Sequence, residues 1–545
     1  MGKKELFILL AFFIPLLFIG LSSVDDYGLS WDEYRNRING YFAYTYLVNG
    51  DQALFDYRDR FHGTAFDLPL VLAETFLRLP TFRDIFLLRH YATFLIFYVA
   101  CIFFYFLSKR LTGSRRLALV AVGMLVISPR IFADAFYNSK DIVFMGMFVV
   151  SVYTMIIFME KQTPARALLH GAACALLVDV RVGGIMVPVF TFVWTAAEAL
   201  RTSRFLAAIK TTALYLAAFF GLAVLFWPYL WPHPPANLWK ALIQMSHYPE
   251  IVDTLYLGRY LPADALPWHY LPVWMMITIP PVYLLFFTTG AIGVTVGLFT
   301  HRENRPWEKA TLLVLLAWFF GPIILAIAIG STLYDAWRQF FFIYPAFVLI
   351  GVIGLKKTWR IKKLRPLIVI CLAVNTTAVL WFMVKHHPHQ NVYFNCLAGR
   401  DYDAIKQKFD MDYWGVAYRQ ALEKIVAIDR RPEITIFAAN DPGVLNAFML
   451  PESQRQRLWF VRTPAGADYF ITNYRWQKKP YRLAHEVFSV DVKGAKIVSV
   501  FRLDGSETEE DLPQRFRGVF FDYFDDDRAW IKKRPVGRSS GPEIP

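Results

Sequence analysis

Charge is scarce in this chain. Only 19% of its 545 residues are Asp, Glu, Lys or Arg, where soluble globular chains carry about a quarter. That shortage argues against a large soluble protein with buried helices. Cysteine is scarcer still. Cys101, Cys174 and Cys371 fall in apolar segments and Cys396 stands alone beyond them, so neither a metal-ligand spacing nor a disulfide framework is present. The first apolar run lacks an Ala-x-Ala type cleavage site, so it reads as a retained helix and not as a removed signal. No internal repeat stands out, and no His/Cys cluster.

What is abundant is apolar sequence. Hydrophobic residues make up 56% and aromatic residues 17%. Apolar runs of about 18 residues or more recur between 6 and 384, the length a helix needs to cross a ~30 Å hydrocarbon core. The pattern predicts a polytopic α-helical membrane protein of about eleven helices, at 5–22, 86–107, 117–130, 142–159, 166–180, 184–200, 207–227, 271–299, 310–330, 339–355 and 366–384. The net charge of +14 could suggest a nucleic-acid partner, but its distribution points elsewhere. Lys and Arg cluster in the short loops of alternate sides, Lys3-Lys4, Lys109-Arg110 and Lys356-Lys357 among them. This positive-inside pattern puts the N-terminus in the cytoplasm and the C-terminal region outside.

Two long polar loops, 23–64 and 228–270, then lie on the outer face. A short amphipathic piece at 66–79, interrupted by Pro69 and followed by Pro80, is expected in the membrane interface. After 384 the character changes. Charge rises, 433–438 and 485–490 alternate like strands, and 402–409 and 418–426 look helical. The expected organisation is a membrane module at 1–384, a small extracytoplasmic α/β or α+β domain at 385–535, and a disordered tail at 536–545.

Against this apolar background, charges at the outer helix ends stand out. Asp32-Glu33 follow the first helix; desolvating a carboxylate costs several kcal/mol and adjacent acids repel. The pair is either a solvated loop feature or a working one. Asp141, after Lys140, directly precedes an apolar helix; it is either a helix-start acid favoured by the macrodipole or a site residue. Arg181 sits between two short helices beside Gly183-Gly184, which admit close approach of a backbone or ligand; it either snorkels or binds. Arg338 follows Asp335 by three residues and could be a local ion pair. His247 and His269 lie in the second outer loop. Together these residues fall on one face, where acids can act as a general base on a hydroxyl and cations can hold a phosphate leaving group.

The motifs carrying these residues occur in a recognisable order: Trp31-Asp32-Glu33, Ser128-Pro129-Arg130 through Asn138-Ser139-Lys140-Asp141, Arg181-Val182-Gly183-Gly184, Leu266-Pro267-Trp268-His269-Tyr270 with Pro280, Tyr334-Asp335 through Arg338 to Tyr344-Pro345, and Val392-Tyr393-Phe394-Asn395. In this order the chain resembles integral-membrane glycosyltransferases of the GT-C superfamily, close to bacterial relatives of the protein O-mannosyltransferases and the aminoarabinose lipid A transferases. The resemblance covers about 1–400. It implies a polyprenyl-phosphate sugar donor and inverting transfer to a protein, lipid or glycan acceptor, at the outer face of a bacterial inner membrane. It maps the catalytic base onto Asp32, a further catalytic acid onto Asp141, and the phosphate contacts onto Lys140, Arg181 and Arg338; Glu33, beside Asp32, is grouped with the catalytic acids as a supporting group or a neighbour. Arg35 stands where the family often has a further basic residue. A divalent metal stays open, since some relatives bind one and others do not. The rival expectation is a secondary transporter or lipid flippase, with Pro188 and Pro322 breaking helices; such a protein would show inverted repeats and charges near the midplane.

Overall fold

The computed structural model describes residues 3–201, 205–248, 252–300, 306–477 and 479–505. The tail expected at 536–545, and the end of the C-terminal domain before it, lie outside them. The chain divides into two compact units. One holds Met1–Tyr27, Asp32–Pro80 and Asp84–Met411; the other holds Gly28–Trp31, Thr81–Arg83 and Asp412–Pro545.

The first unit is helical and membrane-spanning. Among the described residues nine helices are long and apolar enough to cross a bilayer: Lys3–Asp26, Phe82–Thr112, Asp141–Glu160, Val182–Arg201, Ala208–Phe226, Pro281–Phe299, Lys309–Ile329, Arg338–Thr358 and Lys362–Lys385. A tenth arises if Arg115–Val126 and Pro129–Tyr137, bent by 68°, are taken as one. The expectation of about eleven agrees with this to within one or two among the described residues. Pro164–Val180 has 17 residues, about 26 Å at 1.5 Å per residue, short of the ~30 Å core. The segment expected at 117–130 stops at Val126 because Pro129 disfavours helical backbone just before it. The helix expected at 271–299 splits into Tyr270–Thr278 and Pro281–Thr300, since Pro280 and Pro281 offer no backbone N–H to carry the ladder across.

Two spans form the centre. The most apolar stretches of Asp141–Glu160 and Arg338–Thr358 are 78% and 83% buried within the protein, against 28% for Lys3–Asp26 and for Lys362–Lys385. Small residues allow close helix packing, as in other membrane bundles. A Cβ on Gly290 would lie 1.9 Å from the carbonyl oxygen of Ile350, so Pro281–Thr300 and Tyr344–Thr358 meet backbone to backbone. The two long loops expected at 23–64 and 228–270 are more ordered than their polarity predicts. The first contains the helix Glu33–Asn49, and the second contains Pro234–Ser246 and an antiparallel pair, Asp253–Tyr256 with Arg259–Pro262.

The second unit is built on a five-stranded mixed sheet in the order Leu458–Phe460, Ile434–Ala438, Tyr469–Thr472, Ala495–Arg502, Glu486–Val492. The first three strands pair in parallel and the last three antiparallel. The amphipathic helix Tyr418–Ile428 buries Ala421, Leu422 and Ile425. Phe437, Phe470 and Phe501 pack together in the core of the sheet. Asn446 joins the Gly28–Trp31 segment to this unit: its side chain accepts from Leu29 N at 2.9 Å and donates to Leu29 O at 3.0 Å.

Candidate functional site

The site lies within the first unit, at the ends of its central helices. Asp32 is the N-cap residue of Glu33–Asn49, yet its side chain makes no capping bond, the usual use of an aspartate there. Its Oδ2 instead accepts from Arg338 Nη1 at 2.9 Å. The same nitrogen donates to Asp141 Oδ2 at 3.2 Å, and Arg338 Nη2 donates to Asp335 Oδ2 at 3.2 Å. Arg181 also pairs with Asp141. Arg338 is 2% exposed and Asp141 1%, whereas Asp32 keeps 23%. Of the three acids gathered here, Asp32 is the one most open to an incoming molecule.

Local structure fixes this geometry. Asp141 opens its helix, where the backbone dipole favours a negative charge. Asn138 grips it from both sides, donating to Asp141 Oδ2 at 3.0 Å and accepting from Asp141 N at 2.9 Å. Asn36, one turn after Asp32, donates to Ser139 Oγ at 3.0 Å, tying the Asp32 helix to the Lys140 turn. Arg181 ends Pro164–Val180 and leads into the short 3-10 turn Val182–Ile185. That turn needs Gly184, because a Cβ there would lie 2.6 Å from Leu177 Cγ. Asp335 and Ala336 both adopt left-handed backbone, φ 57° and 63°, a strained pair that turns the chain just before Arg338.

These residues open into a cavity of about 240 Å³ with a mixed lining. Its polar residues include Asp32, Arg35, Asn36, Asp59, His62, Lys140, Arg181, Tyr248 and Arg338. Its apolar residues include Phe144, Met186, Pro322, Leu325, Ile329 and Phe342. Burial alone would raise the Asp32 carboxyl, but the charges of Arg338, Lys140 and Arg35 outweigh it, and the group titrates below its usual value. Burial lowers the Lys140 ammonium, against the pull of Asp59 and Asp32 and together with the push of Arg181. Among the described residues Lys140 makes no ion pair within 4 Å, and it lines the cavity with Asp32 and Asp59 near enough to act on its charge.

The structure thus brings together Asp32, Asp141, Lys140, Arg181 and Arg338. It does not bring Glu33, His247 or His269 to the cavity. Glu33 is fully buried and faces His90 Nε2 at 2.9 Å. His247 is exposed, with its Nε2 3.0 Å from Ile329 O. His269 Nδ1 lies 2.6 Å from the Tyr256 hydroxyl. Sequence reasoning missed Asp59, His62, Asn36 and Tyr248 as cavity residues; only their membership of polar loops hinted at them. For the divalent metal left open above, no group of three or more His, Cys, Asp or Glu among the described residues is placed to hold an ion.

No protein-family model matches the chain, and no curated protein does. Among solved structures the chain is similar to ArnT from Cupriavidus metallidurans bound to undecaprenyl phosphate, at 11% identity over 93% of this chain and 100% of that one, with a TM-score of 0.47. It is similar also to the same protein in the apo state, at 11% identity over 92% and 98%, TM-score 0.46. A likeness at that level carries no argument about what this chain does.

Proposed function

We propose that this protein is a GT-C type glycosyltransferase that moves a sugar from a polyprenyl-phosphate carrier to an acceptor hydroxyl, with inversion, at the periplasmic face of a bacterial inner membrane. The observation that carries the reading is the mixed lining of one cavity. Apolar residues that suit an isoprenoid chain line it together with Lys140, Arg181 and Arg338, which suit a phosphate, and with Asp32, the partly exposed acid among them.

In this mechanism Asp32 takes the proton of the acceptor hydroxyl. The acceptor oxygen forms a bond to the anomeric carbon from the face opposite the phosphate, and the bond between that carbon and the phosphate oxygen breaks. The electron pair leaves on the phosphate, where Lys140, Arg181 and Arg338 stabilise the growing charge. Asp141 and Asp335 orient Arg338 rather than touch the substrate. A single displacement inverts the anomeric centre.

The test is Asp32→Asn, purified and assayed for consumption of polyprenyl-phosphate sugars. A folded variant should lose transfer by about 10²–10⁴-fold, the usual contribution of a positioned base. Full transfer by that variant sinks the assignment. Substrate exchange across proteoliposomes without glycosyl transfer would favour a transporter instead.

A further inference from the structure

Asp59, His62 and Tyr248 line the same cavity but have no part in the mechanism above. Asp59 is 7% exposed. It accepts a hydrogen bond from the Tyr248 hydroxyl and a longer one, 3.4 Å, from Tyr57. The Tyr248 ring lies 6.0 Å from the His62 ring, with the Arg58 guanidinium 5.4 Å from the tyrosine's centroid. Asp59 and His62 sit in one turn, in which His62 N donates to Asp59 O at 3.0 Å, and Asn39 holds His62 O at 3.2 Å. The turn is therefore fixed by its backbone. The imidazole itself makes no hydrogen bond among the described residues.

What such a trio can bind follows from its chemistry. An ionised carboxylate accepts only, at about four lone-pair positions, so Asp59 has capacity beyond its two tyrosine donors. Burial, with Lys140 and Arg181 nearby, holds His62 well below its usual value, so the ring is neutral, one nitrogen donating and the other accepting. Burial and the Asp59 charge likewise keep the Tyr248 phenol protonated, a donor with an apolar ring face. A phosphate would be repelled by the Asp59 carboxylate, and a neutral imidazole would offer it one N–H donor and no charge. A ring with several hydroxyls and apolar C–H faces matches all three.

We infer that Asp59, His62 and Tyr248 form the subsite for the glycosyl group of the donor, separate from the cations that hold its phosphate. Asp59 and His62 contact sugar hydroxyls, and Tyr248 is a positioning residue that aims the Asp59 carboxylate. This inference rests on the lipid-phosphate reading of the cavity.

The experiment compares two ligands on the full-length protein in nanodiscs: bare polyprenyl phosphate, and polyprenyl phosphates carrying a hexose, a pentose or an amino sugar. The wild type should hold at least one sugar-bearing lipid more tightly than the bare one. Asp59→Asn should weaken the preferred sugar-bearing lipid about tenfold more than it changes binding of the bare lipid, whose phosphate feels Asp59 only through Lys140; about tenfold is the loss expected for a hydrogen bond to a charged group. Tyr248→Phe should do the same to a lesser degree, raising KM for the donor more than it lowers kcat; this milder change covers the case in which Asp59→Asn fails to fold. Equal weakening for both lipids, or no change for either, overturns the subsite. A wild type that holds neither lipid overturns the lipid-phosphate reading first, and the subsite with it.

Discussion

The helix Asp141–Glu160 carries an acid at each end, and both acids pair with arginine. At one end Asp141 meets Arg181 and Arg338; at the other Glu160 meets Arg110. The chemistry is the same and the setting is not. Arg338 is 2% exposed and shared among three carboxylates, whereas Arg110 is 36% exposed and paired with one. Desolvating several charges at one point costs several kcal/mol per ion, recovered only with good geometry and further hydrogen bonds. An exposed pair costs little and contributes little. A membrane helix gains a tidy end from the second arrangement. The first is expensive for mere anchoring, and it stands beside a cavity that Lys140 also lines.

The sharpest way to break this contrast is Arg338→Gln. It leaves Asp32, Asp141 and Asp335 without their common partner, so unfolding in detergent should show a loss of about 3–5 kcal/mol, the range for removing one member of a buried pair. Transfer should fall at least about 100-fold in whatever fraction remains folded. A variant as stable as wild type would mean that the buried network is not held by charge.

The next largest effect lies in pH. Asp32 titrates below its usual value because Arg338, Lys140 and Arg35 outweigh its burial. In its proposed role as base Asp32 works when ionised, so transfer should persist as pH falls through the ordinary carboxylate range and fail only beneath it. Stability has the same sign: a depressed acid stabilises above its unfolded value, and that contribution is lost as pH falls through the folded one. Lys140→Gln removes one of the cations holding Asp32 down, so the acid limb of the kcat/KM profile should move to higher pH. A limb that stays in place would separate Lys140 from Asp32.

How much of this could be read from sequence depended on background. Asp32, Asp141, Arg181 and Arg338 are charges flanking long apolar runs, so each was conspicuous, and the structure gathers all four. Asp59, His62 and Tyr248 were invisible because they sit in loops already rich in Asp, Arg and Tyr, where one more polar residue carries no signal. Glu33 was read together with Asp32 because the two are adjacent. On a helix, successive residues point about 100° apart, so the step that leaves Asp32 at the cavity turns Glu33 to His90. The bend was out of reach for a related reason: hydropathy sees Arg115–Val126 and Pro129–Tyr137 as apolar but cannot see the 68° between them. The fold class survived because it depends on summed hydrophobicity, which single bends and proline breaks leave intact.

The smallest predicted effect is at the far end of the same helix. Arg110→Gln removes the partner of Glu160, 16% exposed, at a place where water can take over its hydrogen bonds. The loss should stay within about 1 kcal/mol, the usual worth of such pairs, and donor affinity and transfer rate should match wild type. Added salt should narrow even that difference, because exposed charges are screened within about 10 Å at 0.1 M, while the stability lost in Arg338→Gln should hardly respond. If Arg110→Gln instead lowers transfer, the two ends are coupled through Asp141–Glu160. The helix would then be a moving part of the cavity and not a fixed wall of it.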